Sequence, residues 1–444
     1  MLKLPVDFTN RMKTLLGGDY TDFLKSYELP ALKGVRVNPL KSTYAILERN
    51  LPFSLSPTPF SPLSYYIETN QKVGMLPLHH AGAFYAQEPS AASAVTVLNP
   101  RPGERILDVC AAPGGKSTQI AGELDGNGLL WANEVVKNRA HSLLSNIERL
   151  GVRNAVVSSC RPEVLCKRLA GFFDKVLVDA PCSGEGMFRR DVQAIADWSI
   201  AHVQACAVRQ AAILDCAAQA VKQNGILVYS TCTFSKEENE DTVSAFLQRN
   251  PQFVLEDCGV TFGMPGIGLT QTRRIYPMHG GDGHFVAKMR RVAENSCSAP
   301  TFSYKQTPML KQAAELLHTL LQGAWTEEIL QIKEQFVLPP QDLPQLEGLG
   351  VLRAGVLLGE GKTNRIEPAH ALFMAAKPQE LTQVLHLAND DPLTQRFLRG
   401  EELAISAEYS GFTGVAVEGV LTGFGKSSGG RLKNKYPKGL RNFS

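Results

Sequence analysis

From Arg105 to about residue 293 the sequence repeats one unit: a short apolar run, a Gly- or Pro-rich turn, then a helical stretch. Ile106–Val109 reads as a strand, Ala111–Gly115 as a turn, and a helix begins at about Lys116. GLLWANE is a second strand ending at Glu134, followed by a helix over Val136–Leu150. NAVVSS is a third strand, and the run opening FDKVLVD at Phe173 is a fourth. A long helical segment over about Val192–Lys222 leads to the strand that ends at Cys232. A helix over Lys236–Gln248, the run FVLED and a last strand, His284–Arg291, complete the series. Strands alternating with helices predict an α/β fold with a doubly wound, mostly parallel sheet. In such sheets ligands sit at the C-terminal tips of the strands.

The rest of the chain is less regular. With 444 residues the protein exceeds one ordinary core, so several domains are expected. Short helices precede residue 33, GVRVNPLK (Gly34–Lys41) reads as a strand with a turn, and the Pro/Ser-rich residues 51–64 read as a linker or loop. Glu88-Pro89-Ser90 suits a helix entrance. Beyond Ala293, Thr307–Leu321 reads as an amphipathic helix and Gly350–Glu360 as strand and turn, with Glu380–His386 and Pro392–Arg399 helical. The end is short strands between Gly turns. No run is apolar enough to span a bilayer and the N-terminus lacks a signal-peptide core, so a cytoplasmic protein without membrane contact is expected. Nine cysteines without CxxC or Cys/His spacing give no metal site.

The chemistry is concentrated at three strand ends. Asp179 closes the fourth strand, Cys182 follows in a loop broken by Pro181, Gly184 and Gly186, and Cys232 ends a later strand. The turn Ala111-Ala112-Pro113-Gly114-Gly115 lets a backbone approach a ligand. It is neither GxGxxG nor a Walker pattern, which disfavours dinucleotides and excludes a nicotinamide dehydrogenase. Glu134, about 20 residues on, is placed to bind ribose hydroxyls. The set indicates a nucleoside cofactor without pyrophosphate, for which S-adenosylmethionine is the natural candidate; as an alternative, Glu134 is a solvated acid at a helix start. Cytosine C5 is a poor nucleophile toward a methyl sulfonium. A thiolate adding to C6, helped by an acid at N3, makes C5 enamine-like, and the C5 proton and the thiol must then leave. Cys232, Asp179 and Cys182 supply that set. The competing reading, inert core thiols, suits Cys206, Cys216, Cys110, Cys166 and Cys258 better than these two.

Asp179-Ala-Pro-Cys-Ser-Gly-Glu-Gly186, Tyr229-Ser-Thr-Cys-Thr233 and Cys110-Ala-Ala-Pro-Gly-Gly-Lys116 closely resemble the motifs of the Fmu/Sun-type family of RNA cytosine-5 methyltransferases. The likeness covers at least Gln87–Arg290, and the C-terminal third resembles the bacterial RsmF-type branch, which acts on 16S ribosomal RNA and ends in a PUA-like module. The resemblance implies a seven-stranded Rossmann-like class I methyltransferase sheet. It also implies a small N-terminal RNA-binding or accessory domain (residues 1–75), a catalytic domain (76–293), an intermediate domain (294–375) and a PUA-like α+β domain (376–444). It makes Cys232 the nucleophile at C6, Cys182 the aid to product release and Asp179 a contact near N3 and beside the cofactor. Cys110, Ala111, Ala112, Pro113, Gly114, Gly115 and Lys116 would hold the methionine end of S-adenosylmethionine, and Glu134 its ribose. One departure stands out. Many relatives carry an acid near the adenine after the third strand, where this chain has Ser159-Cys160-Arg161.

The expected partner is RNA, as 16S rRNA or the 30S subunit, and not DNA. Net charge is only +3, but six basic residues and no acid follow Thr422. Of these Lys426, Arg431 and Lys433, with Arg189 and Arg190 after the catalytic loop, are candidate phosphate contacts; solvated side chains are the alternative. His279 and His284 read as structural. Two rival functions are the same chemistry on transfer RNA and a ribosome-assembly RNA-binding protein without catalysis.

Overall fold

The computed structural model describes residues 3–68, 70, 72–295, 308–323, 325, 328–362 and 365–441. Five parallel strands run side by side in the order Ala155–Ser158, Leu129–Asn133, Arg105–Asp108, Phe173–Asp179 and Val221–Thr231. His284–Arg291 adds antiparallel to the last, and Phe253–Glu256 pairs with it in turn. These are the seven strands the resemblance implied. Order reverses between Arg105–Asp108 and Phe173–Asp179, which opens a crevice at their C-terminal tips. Alternation buries both faces: Val176 and Val178 pack with Trp131 and with Leu214 of the long helix, while Leu177 packs with Ile120 and Leu143 on the other side.

The sheet does not stop at seven. Arg273–Ile275 and Met264–Pro265 extend one edge, and at the other Val351–Ala354 pairs antiparallel with Ala155–Ser158. A strand from the expected intermediate domain thus completes the catalytic sheet, tied down by Arg353 on Glu148 at 3.0 Å. A similar overlap occurs at the front. The N-terminal sheet, ordered Ser56–Pro57, Ser64–Ile67, Lys33–Val37 and Phe84–Gln87, draws its last strand from beyond residue 76.

Residues 51–64 form a packed loop rather than a linker. Phe53 and Phe60 are buried, and Ser56–Pro57 pairs with Tyr65 and Tyr66, because two aromatic anchors outweigh the Pro/Ser composition. Glu380–His386 is not helical either. Pro378–Glu380 is one 3-10 turn, and Val384–Leu387 is a strand parallel to Gly411–Val417, a partner that local sequence does not reveal. The long helical segment is two helices, Val192–Asp197 and Ile200–Ala220, broken at Trp198 and restarted where Ser199 accepts from the His202 N–H. Of the expected helix Thr307–Leu321, residue 307 lies outside the described residues and Pro308–Leu320 is helical.

The C-terminal region holds a four-stranded sheet over residues 330–368 and a five-stranded sheet over residues 384–434. Lys41 joins it to the N-terminal domain: its buried ammonium donates to the carbonyls of Met374 and Leu421, each at 2.8 Å. Burial, with Arg149 and Arg153 nearby, pulls that ammonium well below its ordinary pKa. Among the described residues no helix is long and apolar enough to cross a membrane.

Candidate active site

Parallel pairing sets Asp179 opposite Ser230, so the Asp179 tip and the Cys232 loop leave the sheet together. Ser230 Oγ donates to Asp179 Oδ1 at 2.7 Å and Lys116 Nζ to Oδ2 at 2.8 Å. Burial alone would push Asp179 up, but the Lys116 ammonium holds it below the usual carboxylate value. Burial would likewise lower Lys116, and Asp179 raises it instead. The pair is therefore ionised. Lys116, expected at the cofactor, is turned toward the Asp179 carboxylate. His284 stands behind it, 3.4 Å from Lys116 Nζ and 3.4 Å from Ser90 Oγ. Burial depresses His284 to about 3, so it stands neutral beside the Asp179–Lys116 pair.

The two sulfurs meet. Cys182 Sγ lies 3.2 Å from Cys232 Sγ, and its hydrogen bond to Cys232 followed by its burial raises it well above an ordinary thiol. Cys182 thus keeps its proton. Two buried carboxylates lock the loops that carry the pair. Glu185 accepts from the Phe234 N–H at 2.7 Å, the Ser235 hydroxyl at 2.8 Å, the Thr233 hydroxyl at 2.9 Å and the Trp198 indole at 2.9 Å. Glu238 accepts from the Ser183 N–H and hydroxyl and from Gln210. Gly186 lies against the Cys232 carbonyl so closely that a Cβ would come within 2.9 Å of it. Sequence reasoning missed Glu185 and Glu238 as functional, although Glu185 lies within the quoted motif.

Beside the sulfurs opens a cavity of about 690 Å³. Cys110 and Ala112 of the Gly-rich turn border it, with Glu134, Val135 and Val136 across from Ala212, Ile213 and Cys216 of the Ile200–Ala220 helix. Glu134 accepts from the Val136 N–H at 2.9 Å and pairs with Arg139 at 3.3 Å. The rest of the turn is held from outside. Ala111 N–H donates to Asn133, the Pro113 carbonyl accepts from Asn146, and the Gly115 carbonyl accepts from buried Arg36 of the GVRVN strand. Gly114, at φ 115°, begins the helix. Burial pushes the Cys110 thiol well up. Just past Ser159-Cys160-Arg161, Glu163 at the start of the helix Pro162–Arg168 lines the wall, which sequence reasoning did not single out.

Arg189 and Arg190 are not free for phosphates. Both are bound to the Asp282 carboxylate and to the carbonyls of Ser26, Gly281 and Leu32, because an acid distant in sequence folds back onto them. Lys426 and Lys433 stand directly opposite each other on neighbouring strands, with Lys426 5.8 Å over the Phe412 ring; Arg431 pairs with Glu402 at 3.2 Å.

Profiles of known families match along the chain. Residues 4–89 match the N-terminal domain of 16S rRNA methyltransferase RsmF and residues 95–290 the 16S rRNA methyltransferase RsmB/F. Residues 313–375 match the RsmF rRNA methyltransferase first C-terminal domain, and 384–442 the methyltransferase RsmF PUA domain. The ribosomal RNA small subunit methyltransferase F of Cronobacter sakazakii is 31% identical, over 98% of this chain and 96% of that protein. That of Vibrio vulnificus is 30% identical over 98% and 97%. A methyltransferase homologue from Pyrococcus horikoshii superposes with a TM-score of 0.58 at 29% identity, over 65% of this chain and 96% of that one. The NSun6 structure of the same organism, solved with SFG, gives 0.60 at 25% identity, over 65% and 99%. The chain belongs to the RsmB/F methyltransferase family, in its RsmF branch, and is an RNA methyltransferase.

Proposed function

We propose that the enzyme methylates C5 of a cytosine in 16S ribosomal RNA, in the cytoplasm, through a covalent bond between Cys232 and C6. The observation that carries this is the pair of sulfurs 3.2 Å apart beside an Asp179 whose charge Lys116 stabilises. Cys232 is the nucleophile. A base docked on the Asp179–Lys116 pair meets a carboxylate and an ammonium at N3, and the ammonium's hydrogen bond to N3 draws electrons from C6 as the thiolate adds. As the Cys232–C6 bond breaks and its electron pair returns to Cys232, Cys182 passes its proton to that sulfur and takes up the C5 proton in its place, leaving both thiols protonated.

The cavity fits S-adenosylmethionine. Its volume is in the range of cofactor sites, and Glu134 offers a carboxylate at the tip of the second strand, where ribose hydroxyls bind. When bound, the cofactor supplies the methyl group. Cys110 and Ala112 would border its methionine end, and no metal is needed. The four regions would divide the work, the catalytic domain acting while the terminal domains hold RNA. There Lys426 and Lys433, like charges side by side, are relieved by a phosphate.

Methyl transfer from labelled S-adenosylmethionine to 16S RNA, 30S subunits and transfer RNA tests this. Wild type is expected to form 5-methylcytosine in a small-subunit substrate, Cys232→Ala to be inactive, and Cys182→Ala to accumulate a covalent protein–RNA adduct. An active Cys232→Ala protein would end the proposal, and methylation of transfer RNA alone would end its substrate assignment.

A further inference from the structure

Among the described residues five charged side chains line the cavity, and four of them are neutralised within the protein. Glu134 pairs with Arg139, Asp179 with Lys116, and Glu163 with Arg161 at 3.0 Å. Arg209 is the fifth. It is exposed, and its guanidinium has no hydrogen bond or ion pair with any described residue. Its place along the cavity is fixed by its own helix. Gln210, the next residue, donates to Glu238 and to the Pro181 carbonyl, so this turn of helix packs on the catalytic loops. One turn earlier Cys206 feels the charges of Glu238 and Cys232; two turns later Cys216 feels Glu163. Arg209 therefore stands at the sulfur end of the cavity, away from the Glu134 end.

An unpaired guanidinium over a reaction cavity calls for an anion. A cytidine can reach Cys232 only by leaving its stack, and it brings the phosphodiesters that flank it to the mouth. Arginine suits that group because its fork matches two phosphate oxygens. The arginines nearest in sequence to the catalytic loop, Arg189 and Arg190, are consumed by Asp282. We infer that Arg209 is an RNA-positioning residue that grips a phosphodiester adjoining the target cytidine and holds its base against Cys232. The inference rests on the proposed RNA chemistry and names a residue that serves it.

Arg209→Gln and Arg209→Lys are compared with wild type on whichever RNA wild type methylates, while S-adenosylhomocysteine binding is followed by calorimetry. Arg209→Gln is expected to raise KM for RNA about tenfold. It should also flatten the log–log salt dependence by about 0.7, as for one lost contact to single-stranded RNA. Cofactor affinity should hold, and Arg209→Lys should recover part of the KM. An unchanged KM and salt slope overturn the inference. So does S-adenosylhomocysteine affinity that falls as far as RNA affinity, which would give Arg209 to the cofactor carboxylate. If wild type methylates no RNA, the functional reading fails by itself. Filter binding of the same RNAs then decides on Arg209, with equal affinity for wild type and Arg209→Gln counting against it.

Discussion

Lys116 shows how one side chain can be reassigned by where it points. It closes a motif that the family resemblance ties to the cofactor, yet its ammonium is spent on Asp179 and stays raised by that carboxylate. Replacing it leaves Asp179 buried, without its cation, and removes the proton available near N3. Lys116→Gln is expected to lower kcat about a hundredfold or more. The dissociation constant of S-adenosylhomocysteine should stay within about threefold, because Lys116 does not line the cavity. Calorimetry beside steady-state kinetics checks this, and parallel losses in both would return the lysine to the cofactor. That Asp179, Cys182 and Cys232 come together was legible because each lies at or just past the end of a strand, in a Pro- or Thr-containing motif. The destinations of Arg189 and Arg190 were not legible. Their partner Asp282 lies more than ninety positions away, and only the fold brings it close.

At the level of elements, the site is two loops fastened by buried acids. Glu185 and Glu238 join the loop after Phe173–Asp179 to the one after Val221–Thr231, and Asp282 anchors the far end of the first through both arginines. Removing Asp282 strands two guanidiniums, one of them almost wholly buried. Asp282→Ala is expected to cost about 3–5 kcal/mol in urea unfolding and to loosen the Cys182 loop enough to reduce methyl transfer. A loss under 1 kcal/mol would show the clamp to be ornamental. Strand and helix order in the catalytic sheet was readable because period and turn chemistry agree there. The linker alternative for residues 51–64 and the helix expected over Glu380–His386 failed for a shared reason. Each segment is held by a partner elsewhere in the chain, Tyr65 and Tyr66 for one and Gly411–Val417 for the other, against its local composition.

Across the whole molecule, domain limits drawn from sequence cut through hydrogen-bonded sheets. Val351–Ala354 covers the edge strand Ala155–Ser158, so a protein ending at Ala293 would present that row of amides and carbonyls bare. Such a truncation is expected to self-associate, eluting larger than the full chain in size-exclusion chromatography and scattering more light. Elution at its own monomer volume would show the added strand to be dispensable. Lys41 sets a different condition, one of time. The carbonyls that receive its ammonium come 333 and 380 positions later. At about 5–20 residues per second of synthesis, the N-terminal domain waits roughly 20–70 s for the first of them. Through that interval Lys41 has to remain hydrated, so the part of the protein made first is among the last to be finished.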